Sequence, residues 1–535
     1  MQKQNLQPDY TQFRRTKQLV LPLETDHFIA PNESVRLFDH VMDELDYTDL
    51  YRTYARKGRK PGTEPATMAK IAVYAYSQGI YSTREIERAC RYDLRFHYLL
   101  QRQKGPDHNT ICRFIGEHLG KCMEGLLNQL VRVLAEAGEI TFDQIFLDGT
   151  KIEANANRYT FVWRGSVEKN LAKLQVKAEE YLRTELGMTD IPDPVDSDVL
   201  KRVWNRLKNR AEKEHVVFVH GTGKHKTELQ RQYETAEEMF RRAVYYEEAL
   251  RTLGKDRKSY SRTDPDATFM HMKDDHMRNS QLKPGYNVQA ASTSEYIAGI
   301  QIRSDRTDYF SLIPMLEHLG KCFPEQKIGK LVADAGYESE EGYHYLDTHG
   351  IQAYIKPSNH EYSKTRRYQR AMEFRLAMQY DGKEDRYICK AGRELKHTRD
   401  RSKESRTGYV SVKKVYQCDS CQGCPYYGKC YKGKYGRKIE VAERFDEYRA
   451  QSEKNISSEE GILLRINRSI QAEGIFGITK QDMGYDRFLR RGAEGVKAEY
   501  LLLAFSFNLN KLHHRIQEGR LGKHLLIPKS MQESA

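Results

Sequence analysis

Apolar residues recur at helical spacing through the first 140 residues. From Pro65 onward, Met68, Ile71, Ala72, Tyr74 and Ala75 fall on one helix face. Ser82 and Glu85 stand at the spacing of a capping box, which predicts a second helix from Ser82. Pro106-Asp107-His108-Asn109-Thr110 opens a third, running through Phe114 towards Leu119. A basic turn, Gly58-Arg59-Lys60-Pro61-Gly62, precedes them. Short helices carrying Arg84, Arg88, Arg91 and Arg113 suit a helix-turn-helix-like DNA-binding module. An ordinary helical subdomain with a solvated face fits the same pattern. Residues 28–140 are read as this helical domain, behind a tail of residues 1–27.

The period then changes. Gln144-Ile145-Phe146-Leu147 is a buried-strand signal that ends in Asp148-Gly149. Residues 165–260 interrupt it with charged helices. Leu171, Leu174, Ala178 and Tyr181 keep heptad spacing, as do Leu229, Tyr233, Ala236, Phe240, Ala243 and Leu250, with Gly254 as a stop. This predicts a helical insertion in the form of a coiled-coil hairpin. Strands resume at Tyr286–Ala291 and Tyr296–Ile302, joined through Ser292-Thr293-Ser294 as a hairpin. A helix with Phe310, Ile313, Met315, Leu316 and Leu319 follows, then a strand, Ile328 to Asp334. Residues 337–349 read as helix and Ile351–Ile355 as strand. Residues 360–450 read as an irregular basic insertion, and a final helical region runs from Ser457 to about Gln517. Without the insertions the order is strand, strand, strand, helix, strand, helix, strand, helix. That is an α/β mixed sheet in the ribonuclease-H-like order, assigned to residues 141–520, with 521–535 as a tail.

The chain has 535 residues, and a prior of roughly 150 per domain allows three or four domains. With 88 Lys plus Arg against 75 Asp plus Glu, the net charge is +13. Such an excess suits a polyanionic partner, although solvated lysines alone also produce it. The longest apolar run, Leu501 to Phe507, is far short of the roughly 20 residues a membrane span needs, and the N-terminus lacks the pattern of a signal peptide. No membrane association is expected. Gly221-Thr222-Gly223-Lys224 is not a phosphate-binding loop, because position 218 is Phe where that motif needs Gly; ATP is not expected as a partner.

Three acids stand out by position. Asp148 and Asp334 each end an apolar strand, in Leu147-Asp148-Gly149-Thr150-Lys151 and Val332-Ala333-Asp334-Ala335-Gly336-Tyr337. Glu473 lies in a helical stretch that ends Gly474-Ile475-Phe476-Gly477-Ile478-Thr479-Lys480. Two strand-end carboxylates and one from a packed helix can converge on Mg²⁺ or Mn²⁺, hard cations that take oxygen donors. On an ideal α-helix Lys480 shares a face with Glu473, and so does Arg465. Each acid alone is equally well a turn residue or a solvated charge. Only the joint arrangement points to metal-assisted phosphoryl chemistry.

From about residue 28 to 520 the chain resembles the DDE transposases of bacterial insertion sequences. The resemblance is carried by Tyr81-Ser82-Thr83-Arg84-Glu85 and Pro106–Thr110 in the N-terminal part, by the Asp148 and Asp334 motifs, and by Glu473 through Lys480 followed by Phe488-Leu489-Arg490-Arg491-Gly492. It implies that Asp148, Asp334 and Glu473 form the catalytic triad. It further implies binding to terminal inverted repeats, cleavage at their ends, attack of the freed 3′-hydroxyl on target DNA, and a dimer or larger synaptic assembly. Lys480, Arg465, Arg468, Arg490 and Arg491 are the implied phosphate contacts, and the implied location is cytoplasmic, at the nucleoid. Related transposases often carry Tyr and Arg seven and four residues before the Glu. Here those positions are Ile466 and Ser469, with Arg465 and Arg468 beside them. A catalytically silent, transposase-derived DNA-binding regulator is the alternative, and a nuclease without joining activity is a second.

Cys418-x2-Cys421-x2-Cys424-x5-Cys430 brings four thiols within 13 residues, a set that suits tetrahedral Zn²⁺. The last gap is longer than that of a ferredoxin run, which disfavours an iron–sulfur cluster. The nearby Arg399, Arg401, Lys403, Arg406, Lys432, Lys434, Arg437 and Lys438 predict a zinc-stabilised basic lobe. Unliganded thiols are the alternative. The remaining five cysteines, Cys389 among them, read as small core residues.

Overall fold

The central sheet grows from a strand whose apolar run is buried on both faces. In a computed structural model, which describes residues 25–55, 61–220, 225–272 and 281–527, that strand is β1 (Gln144–Glu153). Residues 58–60 of the expected basic turn 58–62, the 221–224 stretch and most of both tails lie outside the described residues. A two-stranded ribbon of β2 (Phe161–Trp163) and β3 (Ser259–Ser261) flanks the helical insertion. The sheet continues with β4 (Thr268–His271), β5 (Leu282–Thr293), β6 (Tyr296–Arg303), β7 (Lys330–Ala333) and β8 (Gln352–Ile355).

β1 pairs antiparallel with β5 on one side and parallel with β7 on the other, and β7 pairs parallel with β8. β4 and β6 follow one another along the outer edge of β5. Leaving out β4, the spatial order is β6-β5-β1-β7-β8, which is consistent with a ribonuclease-H-like fold. The β5–β6 turn sits one residue later than the sequence suggests. Ser294 and Glu295 take the two positive φ values, +52° and +70°, that a tight hairpin turn requires.

One buried core runs from Ile29 in the N-terminal helices, through β1, β5 and β6, to Leu509 in the helix Ala493–Gln517. That last helix is buried along Val496–Leu509 and packs against both Pro65–Ser77 and Gly120–Glu136. In the N-terminal part, Asp107 caps the helix His108–Arg113 by accepting from the Thr110 N–H. The helix Thr83–Tyr92 begins at Ser82 as expected, but the Ser82 side chain makes no capping hydrogen bond. Among the described residues no helix is long and apolar enough to cross a membrane.

The helical insertion is three helices, not a hairpin: Arg164–Thr184, Ser197–Lys213 and Glu228–Leu253. They close over their own core, which includes Leu174, Tyr181, Leu200, Leu207 and Ala236. Gly254 ends the third with φ +60°. The stretch from 360 to 450 is likewise more regular than expected. It holds the helix Arg366–Leu376 and a five-stranded antiparallel sheet of β9 (Gln379–Asp381), β10 (Arg386–Ile388), β11 (Glu394–Glu404), β12 (Val410–Cys418) and β13 (Lys438–Val441).

Candidate active site

Strand parity sets the site. Phe146 and Val332 point to the same side of the sheet, where they pack with Ala472, Leu464 and Tyr354. Two residues further along each strand, Asp148 and Asp334 therefore emerge on that side too. β1 and β7 are in register at Leu147 and Ala333, so the next residues, the two acids, stand side by side. Asp334 continues the extended backbone (φ −81°, ψ 178°), and its Oδ1 accepts from the Gly336 N–H at 2.8 Å. Asp148 is buried and accepts from the Gly149 N–H at 2.9 Å.

The third acid arrives on the chain that covers this face. The helix Glu459–Arg468 passes into a π-helical turn, Ser469–Glu473, then Gly474–Gly477 and a second π turn, Ile478–Asp482. This chain lies along β1. At one end the Gln471 carbonyl accepts from Ser292, which also reaches the Phe146 carbonyl. At the other, Lys480 Nζ donates to the Lys151 carbonyl at 3.0 Å. Glu473 lies between those two anchors as Asp148 lies between Phe146 and Lys151. Glu473 itself is half-exposed, and its carboxylate pairs with Arg468.

The π turns correct one expectation. With them the seven-residue spacing from Glu473 to Lys480 no longer follows α-helical phase. They also account for the displaced arginines. Across a π turn residue i meets i+5, and Arg468 stands five before Glu473, the place an arginine four before would take on an α-helix. Arg465, one α-helical step earlier, has a buried Nε that makes no hydrogen bond to the described residues.

The loop 485–492 is held from below by the buried Glu499, whose carboxylate accepts from the Leu489 and Arg490 N–H groups. Burial raises the carboxyl pKa of Glu499. Of the two arginines presented, Arg490 donates to the Cys112 carbonyl at 3.2 Å and so ties this loop to the N-terminal helices. Arg491 is exposed and donates to the Asn155 carbonyl at 2.7 Å.

A further acid was not singled out in the sequence. Asp308 follows β6 in Ser304-Asp305-Arg306-Thr307-Asp308. Its Oδ1 accepts from Asn287 Nδ2 and Gln289 Nε2, both at 2.7 Å. Tyr337 donates to the Oε1 of that same Gln289. The Tyr337 hydroxyl is held well above its ordinary pKa, first by burial and then by Asp308, Asp148 and Asp334, with Arg468 opposing. Four of the charged groups thus act on one buried oxygen. A signal was present: Asp148 and Asp334 are each followed within two residues by a glycine, and both glycines leave room for Asp308.

Donor chemistry at the acids fits a hard divalent cation, because every donor is a carboxylate oxygen. Among the described residues, however, no three His, Cys, Asp or Glu side chains are grouped so as to hold an ion, and Glu473 faces Arg468 instead. The cysteines line a separate cavity. Cys418, Cys421, Cys424 and Cys430 line one cavity of about 20 Å³, and Cys389 lines it with them. Cys389 is therefore part of this cluster, and all five are free thiols. The Arg437 backbone N–H donates to Cys421 Sγ at 3.3 Å and its guanidinium to Cys430 Sγ at 2.6 Å.

Residues 388–513 match the family described as "Transposase DDE domain", and residues 23–117 match "Transposase domain (DUF772)". Together the two matches support an insertion-sequence DDE transposase. One match covers the N-terminal helices that share the core with β1, and the other runs from the end of β10 through the cysteines and Glu473; Asp148 and Asp334 lie between them. Transposases of this kind act on DNA and generally depend on divalent metal. No curated protein and no solved structure matches the chain.

Proposed function

We propose that this transposase binds the terminal inverted repeats of its element, cuts at their ends, and joins the freed 3′-hydroxyls to target DNA. Asp148, Asp334 and Glu473 are the acids that hold the cations. The observation that carries this reading is the shared sheet face. Residues nearly two hundred positions apart stand side by side on β1 and β7, and the chain bearing Glu473 is anchored on both sides of Asp148. Divalent cations bound by these acids would supply Lewis-acid activation of the attacking water and of the leaving oxygen. The chain's own part is to fix three carboxylates on rigid elements and to hold Glu473 against Arg468 until a stronger charge competes for it. Arg465, Arg468, Lys480, Arg490 and Arg491 are the cations from which phosphate contacts are drawn. Arg491 is the exposed one. Two ends must be joined in one event, so a dimer or larger synaptic complex at the nucleoid is the working form.

A strand-transfer assay with Mg²⁺ tests this, comparing wild type with Asp334→Asn. Wild type should release and join ends, and the variant should bind the same DNA without cutting. If both bind terminal DNA and neither cuts, the chain is a silent DNA-binding regulator instead. Cleavage with no joined product would make it a nuclease.

For the cysteine lobe we propose one structural Zn²⁺ held by Cys418, Cys421, Cys424 and Cys430. Thiolates are the donors zinc prefers, and the cavity has room for a single ion. The lobe's buried apolar set is small: Leu395, Val415, Tyr416, Cys418, Ile439 and Val441. Units with so little core usually need a metal or disulfide staple. Purified protein should carry about one zinc per chain by elemental analysis, and Cys421→Ser should lose it together with protease resistance across 379–441. Zinc-free protein with an intact lobe would refute this.

A further inference from the structure

We propose that Arg490 is a positioning residue for end cleavage: it fixes the N-terminal helices against the loop 485–492, so that bound DNA meets the acids in one geometry. The proposal rests on the reading of the chain as an end-cleaving transposase, and it sets Arg490 apart from the cations that meet phosphate.

The loop is joined to both acid-bearing elements. At the end of β1 the Glu153 N–H donates to the Asp486 carbonyl at 3.3 Å, and the Phe488 N–H donates to the Glu153 carbonyl at 2.9 Å. Asn155 Nδ2 donates to the Leu489 carbonyl at 2.6 Å. On its other side the Tyr485 N–H donates to the Thr479 carbonyl at 2.9 Å, within the chain that carries Glu473. A shift of this loop is therefore a shift relative to β1 and to the Glu473 segment together.

Arg490 carries that attachment across to the N-terminal helices. Its backbone N–H is held by the buried Glu499, so the side chain starts from a fixed point. Its Nη2 donates to the Cys112 carbonyl at 3.2 Å, where the helix His108–Arg113 passes into the π-helical turn Phe114–Leu119. A Cβ built on Gly116 would lie only 2.8 Å from Arg490 Nη1. Gly116 is thus a notch that receives the guanidinium. Four residues on, a Cβ on Gly120 would lie 2.9 Å from the Ala498 Cβ, so the same helix is pressed against Ala493–Gln517 as well. Elsewhere along this contact the Tyr81 hydroxyl donates to the Met483 carbonyl at 2.6 Å.

The neighbouring Arg491 differs. It is exposed, and its donor goes to Asn155, just beyond β1, not to the N-terminal helices. A link such as Arg490 matters to rate because a misplacement of about 1 Å at the reacting atoms can cost on the order of 10²-fold.

Gly116→Ala tests this without touching the arginine. The added methyl displaces the guanidinium, while Ala favours the helix over Gly. With Mg²⁺ and duplex bearing the element's own end already bound, single-turnover cleavage by Gly116→Ala and by Arg490→Ala should each fall about 10- to 100-fold. Affinity for that duplex should stay within about twofold, its salt dependence should be unchanged, and melting should remain near wild type. The double variant should cut no more slowly than Arg490→Ala alone, because both changes break one contact. If Arg490→Ala instead weakens binding and flattens its salt dependence while Gly116→Ala cuts as wild type does, Arg490 is a phosphate contact and the proposal fails. Wild-type cleavage by both single variants also overturns it, and in either case the transposase reading stands. If wild type binds the duplex and does not cut, that reading fails and the role of Arg490 falls with it.

Discussion

Asp148→Asn should lower end cleavage by about 10³-fold, equivalent to roughly 4 kcal/mol of lost transition-state stabilisation, while binding to terminal DNA changes by no more than about twofold. The separation follows from where Asp148 sits. It is buried in the middle of β1, paired on one side with β5 and one residue beyond the register with β7. Asn is nearly isosteric and still offers an oxygen to the Gly149 N–H, so the strand keeps its pairing. What disappears is the negative charge beside Asp334. Substitutions of DNA-binding residues should behave in the opposite way, weakening binding uniformly and flattening its salt dependence. A cleavage assay on end-bearing duplex, read together with a gel-shift titration, separates the two classes. Cleavage within tenfold of wild type would remove Asp148 from the reaction.

Much of this site was legible because apolar strands leading to acids leave a local signature. Phe146-Leu147 and Val332-Ala333 declare a strand leading to each acid; β7 does stop before Asp334, but β1 runs on past Asp148 to Glu153, so the expected terminus at Asp148 was wrong. The parts that were not legible have physical reasons. β11 reads Glu394-Leu395-Lys396-His397-Thr398-Arg399-Asp400-Arg401-Ser402-Lys403-Glu404, and only Leu395 is buried, so no apolar alternation betrays a strand. Its pairing with β12 depends on backbone hydrogen bonds and turn geometry that composition does not carry. The helix Ser197–Lys213 buries Val199, Leu200, Val203, Leu207 and Ala211, yet its charged exposed face hid it between two longer heptad patterns. The neighbours of Glu473 were placed on an ideal α-helix, and π turns have no propensity signature. The position of Asp308 was not legible because it depends on two glycines, one on β1 and one just after β7, that only folding brings together.

Arg515→Met should destabilise the fold by about 3–5 kcal/mol, the usual cost of removing one partner from a buried charge cluster. Arg515 has no exposed surface. Its guanidinium lies 3.1 Å from Glu139 and 3.4 Å from Glu295, and donates to the Ser294, Arg520 and Lys523 carbonyls. Tyr296 and the Gly522 N–H also bind Glu139. Removing the cation leaves two buried carboxylates without their shared partner, so adding Glu139→Gln and Glu295→Gln should recover part of the loss. Urea denaturation of the single and triple variants measures both effects; a single variant as stable as wild type would refute the account. The consequence reaches the active site through the β5–β6 turn. The Glu295 N–H donates to Gln471 Oε1, and the Gln471 amide donates to the His524 carbonyl. Gln471 is two residues before Glu473. Loosening the turn should therefore free the π-helical segment, so that the Arg515 variant loses cleavage at temperatures where it is still folded, and the triple variant regains less activity than stability.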